Sequence, residues 1–121
     1  MPRKRKRVGV TALRKKYPHP CRGIGSRDED YCVGGSLCIE MGMGVRFPRW
    51  EQIRDAVEAA TGLNHYVLSD DDNGTLRGRC MDVIRLNDSG LFGEAWNALK
   101  WLLHWNPVDR FSEPVEQRRT A

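Results

Sequence analysis

Between residues 92 and 103 the apolar side chains Phe92, Ala95, Trp96, Leu99, Leu102 and Leu103 recur at spacings of one, three and four. A helix with 3.6 residues per turn gathers these positions on one face, whereas a strand of period two scatters them. A stripe this wide must be buried against other elements, and Pro107 marks where the helix stops. A second stripe, Trp50, Ile53, Val57 and Ala60, is introduced by Phe47 and Pro48 and stopped by Gly62. With 121 residues, of which 40% are hydrophobic, the chain can build one modest core. The expected fold is therefore all-α: a small single domain of four or five helices.

The remaining elements are shorter. Thr11 is placed to cap a helix over residues 12–16, which Pro18 closes. The loop from Cys21 to Tyr31 is rich in Gly, Ser, Asp and Glu and reads as exposed. Cys32 to Met41 is continuously apolar apart from Ser36, Glu40 and two glycines. It reads as a short buried helix in which Gly34 and Gly35 admit a close neighbour, and Gly42 and Gly44 end it. Tyr66, Val67 and Leu68 precede Ser69, Asp70, Asp71, Asp72, Asn73 and Gly74, a sequence with turn chemistry, so one short β-hairpin fits residues 63–76. Arg79 to Leu86 is expected to form a further short helix, broken by Asn87, Asp88, Ser89 and Gly90. Asp88 or Ser89 is then the expected N-cap of the last helix. These readings divide the chain into a basic arm (1–10), a helical domain (11–106) and a C-terminal tail (107–121) expected to dock loosely.

The net charge of +4 conceals a strong polarity. Residues 1–27 carry ten cations (Arg3, Lys4, Arg5, Lys6, Arg7, Arg14, Lys15, Lys16, Arg22, Arg27) and no acid, while the remainder holds ten basic and sixteen acidic residues. Five consecutive cations repel one another, which predicts an extended, solvated arm. Closely spaced cations neutralise phosphates and release counterions, so Arg3, Lys4, Arg5, Lys6 and Arg7, with Arg14, Lys15 and Lys16 behind them, are the expected contacts to nucleic acid or another polyanion. Such contacts read backbone charge and not base sequence. No apolar run reaches the roughly 18 residues of a membrane span, and the basic opening runs into Val8, Gly9, Val10 and Thr11 without the apolar core of a secretion signal. The expected location is cytoplasmic, or within a phage particle, with no membrane partner.

Four cysteines and three histidines raise the question of zinc or thiol chemistry. No Cys-x-x-Cys or His-x-x-x-His pair is present, and only His19, Cys21, Cys32 and Cys38 lie close along the chain, so no metal ligands are assigned. Cys32 opens a glycine-rich helix whose terminus would lower a thiol pKa, and His19, His65 and His104 are candidate bases. A Cys32-dependent enzyme or a Cys/His metal site is therefore the runner-up reading. Asp70 to Gly74 is not a calcium loop, because with Gly74 sixth the twelfth position is Cys80 where a carboxylate is required. No glycine group follows the spacing of a nucleotide-binding loop, and no cofactor and no catalytic residue are assigned. Trp101 and Trp105, four residues apart beside the last stripe, widen its apolar face. They either complete the core or meet a protein partner or a second copy of the chain.

The segments YCVGGSLC (31–38), FPRWEQI (47–53) and IRLNDSGLFGEAW (84–96) resemble uncharacterised small proteins of bacteria and their phages that pair a Cys-x-Gly-Gly or Cys-x-Gly-Ala segment with a later Asn-Asp. The resemblance spans about residues 11–104 and rests on Cys32, Gly34, Gly35, Asn87 and Asp88. It implies a compact helical fold and carries no chemistry. Together these observations point to a non-enzymatic accessory or assembly protein of a bacterium or phage whose arm contacts nucleic acid. An interaction module built on Trp101 and Trp105 is a third reading.

Overall fold

A computed structural model describes residues 8–23 and 27–107. The expected arm contacts Arg3 to Arg7 and the tail from residue 108 onward lie outside these residues. Five α-helices follow in order: α1 (Val10–Lys16), α2 (Val33–Glu40), α3 (Trp50–Thr61), α4 (Asp70–Asp88) and α5 (Phe92–His104), with a 3-10 turn at His65–Val67. The domain is all-α, and no strand occurs among the described residues.

The two strongest stripes form the centre. Leu99 and Leu102 of α5 and Ile53 and Val57 of α3 are fully buried, joined by Leu13 of α1, Leu37 of α2 and Leu76 and Val83 of α4. Phe92 and Leu103 are only partly buried at the margin of this cluster. Helix α3 opens with the Gln52 side chain accepting the Arg49 N–H at 2.9 Å and ends at Gly62, whose φ of 82° is left-handed and carries the last turn over.

Three local expectations are corrected. The proposed hairpin is a 3-10 turn, in which Asn64 Oδ1 accepts the Tyr66 N–H at 2.9 Å. The adjoining acidic stretch is the first turn of α4. Ser69 Oγ accepts the Asp72 N–H at 3.1 Å, and the carboxylates of Asp70, Asp71 and Asp72 sit at the positive end of the helix dipole. The helix expected from Arg79 thus begins nine residues earlier, at Asp70. At α1 the cap is Gly9, without a side-chain hydrogen bond, and Thr11 lies inside the helix.

The turn between α4 and α5 also differs from expectation. Neither Asp88 nor Ser89 caps α5, whose N-cap is Leu91. Instead the Leu91 N–H bonds the Leu86 carbonyl at 2.9 Å and the Gly90 N–H bonds the Asn87 carbonyl at 3.0 Å, around Gly90 with φ 79°. This Schellman arrangement satisfies the last carbonyls of α4 and folds α5 back along it.

The two glycines of α2 admit different neighbours. A Cβ on Gly34 would stand 2.6 Å from Ile53 Cδ1 of α3, and one on Gly35 would stand within bonding distance of the Arg46 carbonyl oxygen. The close neighbour at Gly34 is therefore a helix, and at Gly35 it is the backbone of the segment leading to α3.

Candidate functional site

Helix α1 buries Val10 and Leu13 and turns the expected contacts Arg14, Lys15 and Lys16 outward, all three exposed. Lys16 Nζ meets Glu40 Oε1 at 2.8 Å, and the Tyr17 hydroxyl donates to the same oxygen at 3.2 Å. Hydrogen bonding and charge from Glu40 raise the Lys16 pKa, so this ammonium holds its proton while tethering α1 to α2. The Arg14 guanidinium stands 5.9 Å from the centre of the Trp96 ring.

Trp101 and Trp105 occupy the outer side of α5. Their rings stack with centroids 5.3 Å apart and 24° between planes, and the Arg79 guanidinium of α4 lies 4.1 Å from the Trp101 centroid. Both indoles pack against the margin of the core while remaining partly exposed. They line an open groove of about 530 Å³ together with Asn97, Lys100, His104 and Asn106. Arg79 was not legible as part of this face, because its position depends on how α4 and α5 pair. A second open groove, about 610 Å³, runs between α3 and α4 past Pro48, Trp50, Met81 and Ile84.

The residues that carry the sequence resemblance meet at the start of α2. Cys32 is the N-cap residue, and its Sγ accepts the Gly35 N–H at 3.2 Å. Asn87 is fully buried, with Oδ1 accepting the Val33 N–H at 2.9 Å and Nδ2 donating to the Cys21 carbonyl at 2.8 Å. Asn87 is a polar clamp that sequence reasoning took for part of a helix break. The signal was present, since Leu76, Cys80, Val83 and Asn87 are spaced four, three and four along the buried face of α4. The Arg22 Nε–H donates to the neighbouring Asp88 carbonyl at 2.8 Å.

This environment opposes thiol chemistry at Cys32. Hydrogen bonds from Gly35 and Gly34 favour the thiolate, as the helix-terminus argument anticipates, but burial outweighs them and the pKa is raised. Burial likewise pushes the thiols of Cys38 and Cys80 up to about 12. Two of the three histidine rings are engaged elsewhere: His65 pairs with the Glu58 carboxylate and His104 lines the tryptophan groove, while at His19 it is the backbone N–H that donates to the Tyr31 hydroxyl at 2.9 Å. Among the described residues no three His, Cys, Asp or Glu side chains converge on a point where a metal ion would sit. Also among them, no helix is long and apolar enough to cross a membrane.

Compared with known proteins, the chain matches no family model, no curated protein and no solved structure.

Proposed function

We propose that the protein is a non-enzymatic accessory or assembly factor that holds nucleic acid through its basic N-terminal arm. One observation carries this reading: ten cations and no acid in residues 1–27, ahead of a body in which acids outnumber bases. Arg14 and Lys15, exposed on α1, extend the charge from the arm onto the folded domain, while Lys16 beside them is paired with Glu40. The bacterial or phage setting follows from the sequence resemblance alone. The Cys32-dependent alternative is the weaker reading, because burial keeps that thiol protonated.

If each of the five cations from Arg3 to Arg7 neutralises one phosphate, log K falls against log salt with a slope of about −4.5 on duplex DNA. That is roughly a 500-fold loss of affinity between 50 and 200 mM salt. Fluorescence anisotropy with labelled DNA and RNA measures it. Deleting residues 1–10 is expected to remove most of the binding and most of the slope. Affinity indifferent to salt, or to the deletion, refutes the reading.

A further inference from the structure

We infer that the ladder of Arg79, Trp101 and Trp105 is a stacking platform for unpaired nucleobases, so that the polyanion held by the arm is single-stranded. The inference rests on the arm reading above and adds the class of nucleic acid. Trp101 is engaged by Arg79 at 4.1 Å and by Trp105 at 5.3 Å, and Trp105, itself partly exposed, lines the groove. A flat aromatic ring can continue such a ladder, and every nucleobase has a π-face to offer. Inside a duplex both faces of each base are already covered by neighbouring pairs, so away from a duplex end only an unpaired base can be the next rung.

The walls of the groove suit the same ligand. Lys100 supplies a cation with His104 beside it, Asn97 and Asn106 supply amides able to meet base edges, and no carboxylate is among the described residues that line it. The volume, about 530 Å³, lies in the range of sites that hold one small ligand. An apolar protein partner would not call for this combination of stacked rings, amides and a lysine.

The test uses the full chain and three probes of equal phosphate number: oligo(dT), an abasic strand and a duplex whose ends are closed by abasic linkers. The platform predicts that the wild-type protein binds oligo(dT) more tightly than the abasic strand and that oligo(dT) quenches tryptophan fluorescence. Removing one stacking ring by Trp105→Ala should weaken oligo(dT) binding about 5- to 150-fold and leave duplex affinity and the salt slope unchanged, with Trp105→Phe recovering most of the loss. Equal wild-type affinity for oligo(dT) and the abasic strand overturns the platform without recourse to any variant. So does a Trp105→Ala loss that is equal on single strand and duplex, or that accompanies a change of oligomeric state in light scattering, which would mark a self-association face. If deleting residues 1–10 leaves oligo(dT) binding intact while Trp105→Ala abolishes it, the arm reading fails and the platform stands.

Discussion

Asn87, near the C-terminal end of α4, caps the first turn of α2 beside the local N-cap Cys32: its Oδ1 accepts the Val33 N–H at 2.9 Å. Its other half donates to the Cys21 carbonyl at 2.8 Å, so one buried amide fixes two segments that are distant in sequence. Replacing it strands both partners, and each unsatisfied buried group costs about 1 to 3 kcal/mol. Asn87→Ala is therefore expected to lower the unfolding free energy by about 2 to 4 kcal/mol. Asn87→Asp retains the acceptor but turns a second acceptor toward the Cys21 carbonyl, and it should not rescue stability. Urea denaturation followed by circular dichroism measures both, and a loss below about 0.5 kcal/mol would deny Asn87 this role.

The glycines separate by what surrounds them. A Cβ on Gly35 would collide with the Arg46 carbonyl oxygen, which also receives the Cys32 N–H at 3.1 Å. Gly35→Ala must displace backbone and should prevent folding at ambient temperature. Gly78, inside α4, has nothing within 4 Å of an added Cβ. There Gly78→Ala reduces the freedom of the unfolded chain and should stabilise by about 0.5 to 1 kcal/mol. Thermal melts should thus show no folding transition for Gly35→Ala and a raised midpoint for Gly78→Ala.

Thiol ionisation gives the protein an alkaline limit. Cys38 and Cys80 are fully buried, with folded-state pKa values of about 12 against an ordinary 9.0. A pKa raised on folding means that the unfolded chain loses its proton first. The associated stability is complete below pH 9 and is lost as pH rises from 9 toward 12. Melting temperature should fall across that window, and Cys80→Ala should fall less steeply than wild type while starting from a lower value. With a thiol-specific reagent at pH 8, partly exposed Cys21 should react quickly, and Cys32, Cys38 and Cys80 only as the chain unfolds.

Helices α3 and α5 were legible because each carries its burial pattern within a dozen or so residues. The start of α4 was not, because Ser, Asp and Asn serve turns and helix N-termini through the same side-chain-to-backbone bonds. What decides between them is tertiary: the Asn73 amide donates to the His65 carbonyl at 3.1 Å and to the Leu68 carbonyl at 3.4 Å, holding the turn against α4. At Cys32 the sequence showed both the helix terminus that lowers a thiol pKa and an apolar segment that buries it, but not that burial outweighs the terminus. Trp101 and Trp105 were recognised as a face, while the Arg79 that completes their ladder is eleven residues before Gly90, as Trp101 is eleven after it. Only the folding back of α5 along α4 makes them neighbours.

That same helix supplies a contrast between core and surface. Leu99 has no exposed area, and truncating such a side chain removes its transfer free energy and leaves a cavity that the close-packed surroundings fill only in part. Leu99→Ala is expected to cost about 2 to 5 kcal/mol, a large fraction of what holds a domain of this size together. Trp105, the C-cap residue of α5, is partly exposed and stacks on Trp101, and such an aromatic pair contributes about 0.5 to 1.5 kcal/mol. Trp105→Ala should therefore leave a cooperative unfolding transition at a modestly lower urea midpoint, whereas Leu99→Ala shifts it far more or abolishes it. Equal losses from the two variants would make Trp105 a core residue and remove the partly exposed ring on which a base is proposed to stack.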